Sequence, residues 1–287
     1  MAILALGGKS GFGVFTPEGR DENFGQTAGE GNDRATLQLP PIQQKLLREL
    51  NKTSTPIVLI LVNGRPLATR WAQKTVPAIV EAWLPGELGG KAVADILFGN
   101  YNPSAKLPVT IPKRVGQSPM HYRRKSISKN RRYVFTENKP LYPFGFGLSY
   151  TIYKYSDLQI TPKQVKPDRE VKVSFKVRNA GNIKGEEIVQ LYFRDEFASI
   201  TRPERELKGF EKVSLEPGEV KRVNFHISMD LVALYNRDME LLVEPGEFSV
   251  LIGSSSTDIR LTGKFEVIGP ERKIKSNRTF FSKSSID

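Results

Sequence analysis

The chain lacks cysteine entirely and has only two histidines among its 287 residues. The absence of cysteine excludes disulfides, thiolate zinc sites and cysteine nucleophiles, although it fits a cytosolic and a periplasmic protein equally well. One histidine, His226, lies in the alternating strand-like run VNFHI, so we expect neither a histidine-rich metal site nor a Ser-His-Asp triad. Any acid-base chemistry must therefore be carried by carboxylates.

Long apolar runs are also missing. No run approaches the roughly 20 residues that a membrane-spanning helix needs. Residues 1–8, MAILALGG, lack the basic start and the long apolar core of a signal peptide. We therefore expect this chain to carry no membrane or export signal of its own.

Acidic residues are scarce in one stretch of a chain whose net charge is +12. Between Lys113 and Arg132 there are eight Lys or Arg residues and no acid. No zinc-finger, helix-turn-helix or aromatic RNA-binding pattern accompanies them, so this stretch favours a solvated basic connector over a nucleic-acid site. A nucleic-acid binder is the rival hypothesis, and it would depend on Arg123, Arg124, Arg131 and Arg132.

The first part of the chain predicts an α/β domain. Short apolar runs at Ile3–Leu6, Pro56–Asn63 and Val76–Trp83 are typical of buried strands in a mainly parallel sheet. They alternate with helical spacing over Pro41–Asn51 and Lys91–Phe98. The alternation predicts a partial α/β sandwich over 1–112, followed by a basic and aromatic interdomain connector over 113–150.

The second part of the chain follows a different pattern. Period-two runs are separated by turn signals such as EPG at 216–218 and 244–246. Short strands at this spacing predict an antiparallel β-sandwich of immunoglobulin or fibronectin III type over 151–268. Its strands show no exposed aromatic platform for sugar. The polar, basic composition of 269–287 predicts a disordered tail.

The loop AGEGNDRATLQLP, from Ala28 to Pro40, is the candidate site. Glu30 lies between two glycines, which let the backbone adopt unusual conformations and let a ligand approach, while Asp33 and Arg34 could orient that ligand by hydrogen bonding. The loop itself leaves two interpretations open. Either Glu30 carries the chemistry, or it is a solvated loop charge and Asp33 caps the helix that follows.

A second glutamate, Glu87, also follows a glycine, in the turn LPGELGG. This turn precedes the helical pattern at Lys91–Phe98. A carboxylate there faces the positive end of the helix favourably, so we predict a structural role for Glu87.

Taken together, the motifs resemble glycoside hydrolase family 3, the β-glucosidases and β-xylosidases. The resemblance extends over nearly the whole chain and rests on an ordered set: GEGNDRATLQLP, PIVLILVNGRPLA, AWLPGELGGKAVADILFGNYNPSAKLPVTIP, LYPFGFGLSYT and a fibronectin-like domain. It implies three modules in the complete enzyme: a (β/α)8 barrel with the nucleophilic aspartate, an α/β sandwich with the acid/base glutamate, and the fibronectin-like module. It also implies that no metal or organic cofactor is needed.

The resemblance assigns residues one by one. The acid/base glutamate of the Gly-Glu-Gly-x-Asp-Arg motif falls on Glu30, and Asp33 and Arg34 match the positions that orient the loop. The barrel and its aspartate motif have no counterpart in this chain. Retaining glycosidases use two carboxyl groups about 5 to 5.5 Å apart, and this chain supplies one of them. We therefore expect the C-terminal part of such an enzyme, with a missing N-terminal barrel as its partner.

The resemblance implies β-linked glucosides or related oligosaccharides as ligands, with terminal β-D-glucosyl residues as the substrate. It leaves the choice between glucoside and xyloside open, because the sugar-gripping subsite belongs mainly to the barrel. It favours a periplasmic or secreted parent protein over a cytoplasmic one. The alternative hypothesis is a non-catalytic carbohydrate-binding or scaffold fragment that has lost the barrel.

Overall fold

The structure of the protein is a computed structural model that describes residues 1–9, 27, 34–125 and 133–287. The chain forms two compact units. The α/β unit contains the described residues of 1–101, 110–120 and 133–142, and the β-sandwich unit contains those of 102–109, 121–132 and 143–287. Neither unit is one continuous stretch, which the linear domains predicted above do not capture.

Backbone hydrogen bonds between distant stretches explain this division. In the β-sandwich unit, the Gly145 N–H donates to the Leu107 carbonyl (2.8 Å), and the Leu107 N–H donates to the Phe146 carbonyl (2.8 Å). In the α/β unit, the Ile111 N–H donates to the Tyr142 carbonyl (2.8 Å). The predicted connector over 113–150 is therefore shared between the units, because its pairing partners lie in both.

The α/β unit contains the predicted parallel sheet. Its strands run in the order β1-β2-β3 and are all parallel, with bounds Ala2–Gly7, Ile57–Val62 and Ala78–Trp83. The central strand β2 has the sequence IVLILV, and its Leu59 is fully buried. Near-continuous apolar runs of this kind form strands that are covered on both faces. The three strand predictions are confirmed.

In the described part of the α/β unit, three α-helices accompany this sheet: α1 over Pro41–Asn51, α2 over Arg70–Thr75 and α3 over Gly89–Leu97. The helix α1 has the predicted bounds and begins with proline at its first position. Leu47 packs in the core of the unit, whereas Ile42 and Leu46 are exposed. The short helix α2 was not predicted, because RWAQKT offers too few turns for a periodic signal.

The β-sandwich unit is built from two main sheets, which are antiparallel as predicted except for one short parallel pairing at Gln164–Val165. Strands β4 to β9 have the bounds Tyr153–Thr161, Gln164–Val165, Glu170–Asn179, Gly185–Asp195, Glu206–Leu215 and Val220–Ser228. Strands β10 to β15 have the bounds Leu234–Tyr235, Leu241–Val243, Gly246–Gly253, Ile259–Val267, Arg272–Lys273 and Lys283–Ile286. One sheet has the order β5-β13-β12-β7-β8 and the other β15-β9-β6-β4, while β10, β11 and β14 form a small third sheet.

The core of the sandwich follows from the period-two pattern. Alternate residues of β6, Val171, Val173, Phe175 and Val177, are completely buried. The Phe175 ring stacks against Phe225 of β9, with centroids 6.2 Å apart. Because successive side chains of a strand point to opposite faces, each sheet presents one apolar face to the other.

The tail differs from its prediction. Strand β15 pairs in antiparallel fashion with β9, and β14 pairs with β11. The Asp287 N–H donates to the Arg222 carbonyl, and the Arg222 N–H donates back to the Asp287 carbonyl (both 2.8 Å). The predicted disorder over 269–287 is therefore wrong for these strands, because the open edge of β9 supplies backbone partners that composition alone does not indicate.

The basic stretch from Lys113 onward is also not simply solvated. The Arg123 side chain contacts Glu206 at 2.5 Å, and Arg124 lies 3.8 Å from Glu204, both within the β-sandwich unit. In the α/β unit, Lys113 contacts Glu137 at 3.2 Å. Acids distant in sequence thus neutralise part of this charge. Arg131 and Arg132 lie outside the described residues.

Candidate active-site edge of the parallel sheet

Thr27 and Arg34, the described residues nearest in sequence to Glu30, lie at the carboxyl edge of the parallel sheet, where the chain leaves β1 and β2. A Cβ atom at Gly7 would lie 1.8 Å from the Val62 carbonyl oxygen, so no side chain fits there. The Gly8 N–H donates to the same carbonyl (3.1 Å), and the Gly7 N–H donates to Gln43 Oε1 (2.9 Å). The Gly-Gly pair therefore lets the chain turn away directly over the end of β2. Ligands of open α/β sheets bind at this edge.

Two described residues flank the loop that carries the predicted site, one on each side in the sequence. Thr27 pairs with Lys9 just beyond β1: its N–H donates to the Lys9 carbonyl (3.0 Å), and its hydroxyl accepts from the Lys9 N–H (2.8 Å). Arg34 donates from Nε to the Thr36 carbonyl (3.2 Å) and from Nη2 to the Gln38 carbonyl. Both residues are thus held by backbone partners.

Gly8 lies close to both Thr27 and Arg34. A Cβ atom added there would lie 2.8 Å from Thr27 Oγ1, 3.9 Å from Asn63 Cβ and 4.0 Å from Arg34 Nη1. Burial lowers the pKa of Arg34 first, and the neighbouring Arg65 lowers it further. Two guanidinium groups near one another provide a positive field at this edge, which suits a site that handles oxygen-rich or negatively charged groups.

A buried amide group and a carboxyl group contact each other at this edge of the sheet. Asn63, directly after β2, is 2% exposed, and its Nδ2 donates to Glu81 Oε1 (2.8 Å). The Trp83 N–H lies 3.3 Å from the same oxygen, and the Asn63 N–H donates to the Trp83 carbonyl (2.9 Å). Asn63 Oδ1 is buried and has no hydrogen-bond partner among the residues that the structure describes. Because Asn63 Nδ2 donates to the Glu81 carboxyl group, this contact fixes the orientation of the Asn63 amide.

Burial raises the pKa of Glu81 to about 7, even though the hydrogen bonds from Trp83 and Asn63 favour its charged form. A carboxyl group with such a pKa changes its charge near neutral pH. Groups of this kind cluster at functional sites, although ion-pair networks also produce them. Protonation of Glu81 near neutral pH would therefore remove one negative charge from this edge of the sheet.

Only part of the predicted site can be located. Arg34 lies at the sheet edge, whereas Glu30 and Asp33 lie outside the described residues. Glu87 is exposed and directly precedes the N-cap of α3, Leu88; its structural role stays a prediction. Sequence reasoning missed Glu81, although a single acid within the apolar run VPAIVEAW is a signal that could have identified it.

Metal and membrane features can be stated for the described ranges alone. Within 1–9, 27, 34–125 and 133–287, no group of three or more His, Cys, Asp or Glu side chains is arranged to hold a metal ion. Helices in the same ranges are too short or too polar to cross a bilayer.

The raised pKa of Glu81 predicts a pH-dependent stability difference for Glu81→Gln. When the pKa of a carboxyl group is higher in the folded state than its ordinary value, the group contributes its full stabilisation of the fold at pH values below that ordinary value. For Glu81, this contribution is lost as the pH rises through about 7. Gln keeps both hydrogen bonds and never ionises. From pH 5 to pH 8, we expect the free energy of unfolding of the variant to rise by about 1 to 2 kcal/mol relative to that of the parent. This value allows for the partial solvation of Glu81.

Urea unfolding at the two pH values measures this difference. Fluorescence reports on the correct unit, because both tryptophans, Trp71 and Trp83, belong to the α/β unit. Glu87→Gln is the matched control, because it makes the same replacement at an exposed glutamate of the same unit. An equal difference for Glu81→Gln at pH 5 and pH 8 would contradict the raised pKa.

The comparisons with known proteins agree on one family. The family description "Glycosyl hydrolase family 3 C-terminal domain" matches residues 3–150, and "Fibronectin type III-like domain" matches 187–256. The chain is 40% identical over 251 residues to a periplasmic β-glucosidase of Salmonella typhimurium, covering 84% of this chain and 33% of that protein. It is also 40% identical over 234 residues to a β-xylosidase of Formosa agariphila, covering 80% and 32%.

A solved structure supports the same relationship. The chain superposes on a β-glucosidase of Erythrobacter marinus with a TM-score of 0.82 and 39% identity, covering 93% of this chain and 34% of that one. The chain thus spans about a third of the length of the relatives it matches. With a family match over more than half of its residues and relatives at 40% identity, the chain belongs to glycosyl hydrolase family 3, of which it contains the C-terminal domain and the fibronectin III-like domain.

Proposed function

We propose that this chain is the C-terminal part of a retaining β-glycosidase that hydrolyses terminal β-D-glucosyl residues, and that it supplies the general acid/base but not the nucleophile. The observation that carries the proposal is the family match over 3–150, which includes the motif GEGNDR. In the sequence, this motif lies between Thr27 and Arg34, which are both held near the carboxyl edge of the sheet.

We assign the proton transfers to Glu30. In the first step a carboxylate nucleophile bonds to the anomeric carbon while the bond to the leaving oxygen breaks, and Glu30 gives that oxygen its proton. In the second step Glu30 takes a proton from water, the water oxygen bonds to the anomeric carbon, and the ester to the nucleophile breaks. The nucleophile would come from the part of the relatives that this chain does not cover.

Arg34 and Asp33 are assigned to positioning the loop. The Arg34 guanidinium donates to the carbonyls of Thr36 and Gln38, which is the behaviour of a group that holds backbone in place. An arginine also remains protonated at any pH at which the enzyme would work, so it cannot act as the acid or the base. The role of Asp33 follows from its position in the motif.

The substrate preference is part of the proposal. The relatives include proteins named β-glucosidase and a protein named β-xylosidase, so the terminal sugar can be glucose or xylose. We favour glucose because the matched solved structure is titled a β-glucosidase. The name of the Salmonella relative supports a periplasmic or secreted parent protein.

Complementation tests the proposal. The 287-residue chain is assayed with p-nitrophenyl β-glucoside and β-xyloside, alone and after fusion to the N-terminal part of the Salmonella relative. We expect no hydrolysis by the chain alone and hydrolysis by the fused protein, faster with the glucoside. Hydrolysis by the chain alone at an ordinary enzymatic rate would overturn the proposal that the nucleophilic carboxylate lies outside this chain. Saturable sugar binding by the chain alone, together with no hydrolysis by the folded fusion, would favour the non-catalytic fragment.

A further inference from the structure

The β-sandwich unit contains a cavity of about 370 Å³ whose lining is strongly cationic. Four positively charged side chains line it: Arg123, Arg202, Lys208 and Arg278. Among the described residues, Glu206 is the only carboxylate in the lining. We call this cavity the cationic pocket.

One carboxylate is shared by three of the cations. The Glu206 side chain contacts Arg123 at 2.5 Å, Arg202 at 2.6 Å and Lys208 at 3.5 Å. Asp195 lies 3.9 Å from Arg202 Nε, beyond hydrogen-bond distance. A carboxylate can neutralise only one charge, and buried cations are unfavourable unless they are paired. Asp195 and Glu206 thus both face Arg202, and four cations against two carboxylates leave an excess of positive charge at the pocket.

Two guanidinium nitrogens point to a missing acceptor. The Nε atoms of Arg202 and Arg278 are both buried and have no hydrogen-bond partner within the described parts of the chain. A buried N–H without an acceptor is unfavourable, and more so when the group is charged. Such groups are retained where a ligand supplies the acceptor. Arginine suits this role because its fork of donors matches the oxygens of a carboxylate or a sulfate.

The state of Lys208 agrees with an excess of positive charge. Burial lowers the pKa of Lys208 to about 8, Glu206 opposes this shift, and Arg202 and Arg123 add to it. An anion in the pocket would favour the charged ammonium group. Its affinity should therefore decrease as pH rises through about 8, when Lys208 loses its proton.

Aromatic side chains indicate what carries the anion. Tyr235 and Phe280 line the pocket and are more than half exposed. Tyr122, also in the lining, is held rigidly by stacking on Phe144 with ring centroids 4.3 Å apart. Flat apolar faces beside charged donors suit a ligand that combines a ring with an oxyanion.

We propose that the cationic pocket binds the carboxylate or sulfate group of an acidic saccharide, with the sugar ring against Tyr235 or Phe280. The choice of a saccharide rests on the proposed function, whereas the anion site rests on the charges and the unpartnered donors alone. Strand β8, which contributes Glu206 and Lys208 to the pocket, lies within the stretch that matches the fibronectin III-like domain. The role of the pocket would be to hold an acidic polymer.

Calorimetric titration of the 287-residue chain tests the proposal with five probes: trigalacturonate, glucose 6-sulfate, neutral cellotriose, inorganic sulfate and polyglutamate. We expect saturable binding of the two charged sugars, weaker binding of sulfate and none of cellotriose. Arg123→Gln/Arg278→Gln should weaken trigalacturonate binding at least tenfold, as expected for the loss of charge-assisted hydrogen bonds. Arg237→Gln/Lys275→Gln removes two exposed cations outside the pocket and should change the affinity less than twofold.

Thermal unfolding of each variant, followed by circular dichroism, shows whether it is folded. Titrations at pH 6.5 and pH 9 should differ, with tighter binding at pH 6.5, and Lys208→Met should abolish this difference. Binding that survives the pocket variant, or equal affinity for sulfate and trigalacturonate, would overturn the proposal, as would no binding. Equally tight binding of polyglutamate would replace the saccharide with an acidic peptide. No hydrolysis is measured, so either outcome leaves the assignment of Glu30 unaffected.

Discussion

Glu30→Gln is expected to lower the activity of the barrel-complemented chain on p-nitrophenyl β-glucoside by about 10²- to 10⁴-fold, the usual contribution of a general acid/base. Gln keeps the size and polarity of the side chain but can neither donate the proton to the leaving oxygen nor accept one from water. The measurement is kcat and KM for the parent and the variant. Substrates with poorer leaving groups should lose more, because they need protonation more.

Azide distinguishes loss of proton transfer from loss of folding. Azide is an anionic nucleophile that needs no base, so it should restore turnover of Glu30→Gln with an activated aryl glucoside and yield β-glucosyl azide. Glu87→Gln, which replaces another glutamate that follows a glycine, should retain the activity of the parent. If Glu30→Gln keeps activity within a few-fold of the parent, Glu30 is not the proton donor.

Lys106→Met is expected to lower the free energy of unfolding of the β-sandwich unit by about 3 kcal/mol. Lys106 Nζ lies 3.1 Å from Glu187 Oε2, and these side chains are only 9% and 3% exposed. Methionine keeps the chain length but leaves the Glu187 charge buried without its cation, which typically costs about 3 to 5 kcal/mol. The lower end applies because the Tyr155 hydroxyl still donates to Glu187 (2.8 Å). Denaturant unfolding followed by far-ultraviolet circular dichroism measures the change.

The double variant and an exposed pair provide the controls. Lys106→Met/Glu187→Gln removes both charges and keeps an acceptor for Tyr155, so it should recover most of the lost stability. Lys264→Met breaks the exposed pair with Glu247 and should cost far less stability than Lys106→Met, because solvent screens exposed ion pairs. A cost for Lys106→Met no larger than that for Lys264→Met would mean that the Lys106–Glu187 pair is solvated.

These two predictions concern different kinds of information. The role of Glu30 comes from a motif that is contiguous in the sequence and could be assigned without a structure. The importance of Lys106 could not be, because its partner Glu187 is 81 residues away and neither residue has a distinctive local pattern. The same holds for Glu81 and Asn63, whose contact depends on the register of β2 and β3.

The sequence by itself determined the three strands of the parallel sheet, the helices α1 and α3, the two fold classes and the family. Periodicity of apolar residues is a local property, and strands bury one or both faces according to that pattern wherever they pack. Only the tertiary structure decided which distant stretches pair between 107 and 146, that the tail adds a strand to β9, and that cations from positions 123 to 278 line one cavity. Such contacts depend on how elements meet after folding, and no local pattern encodes them.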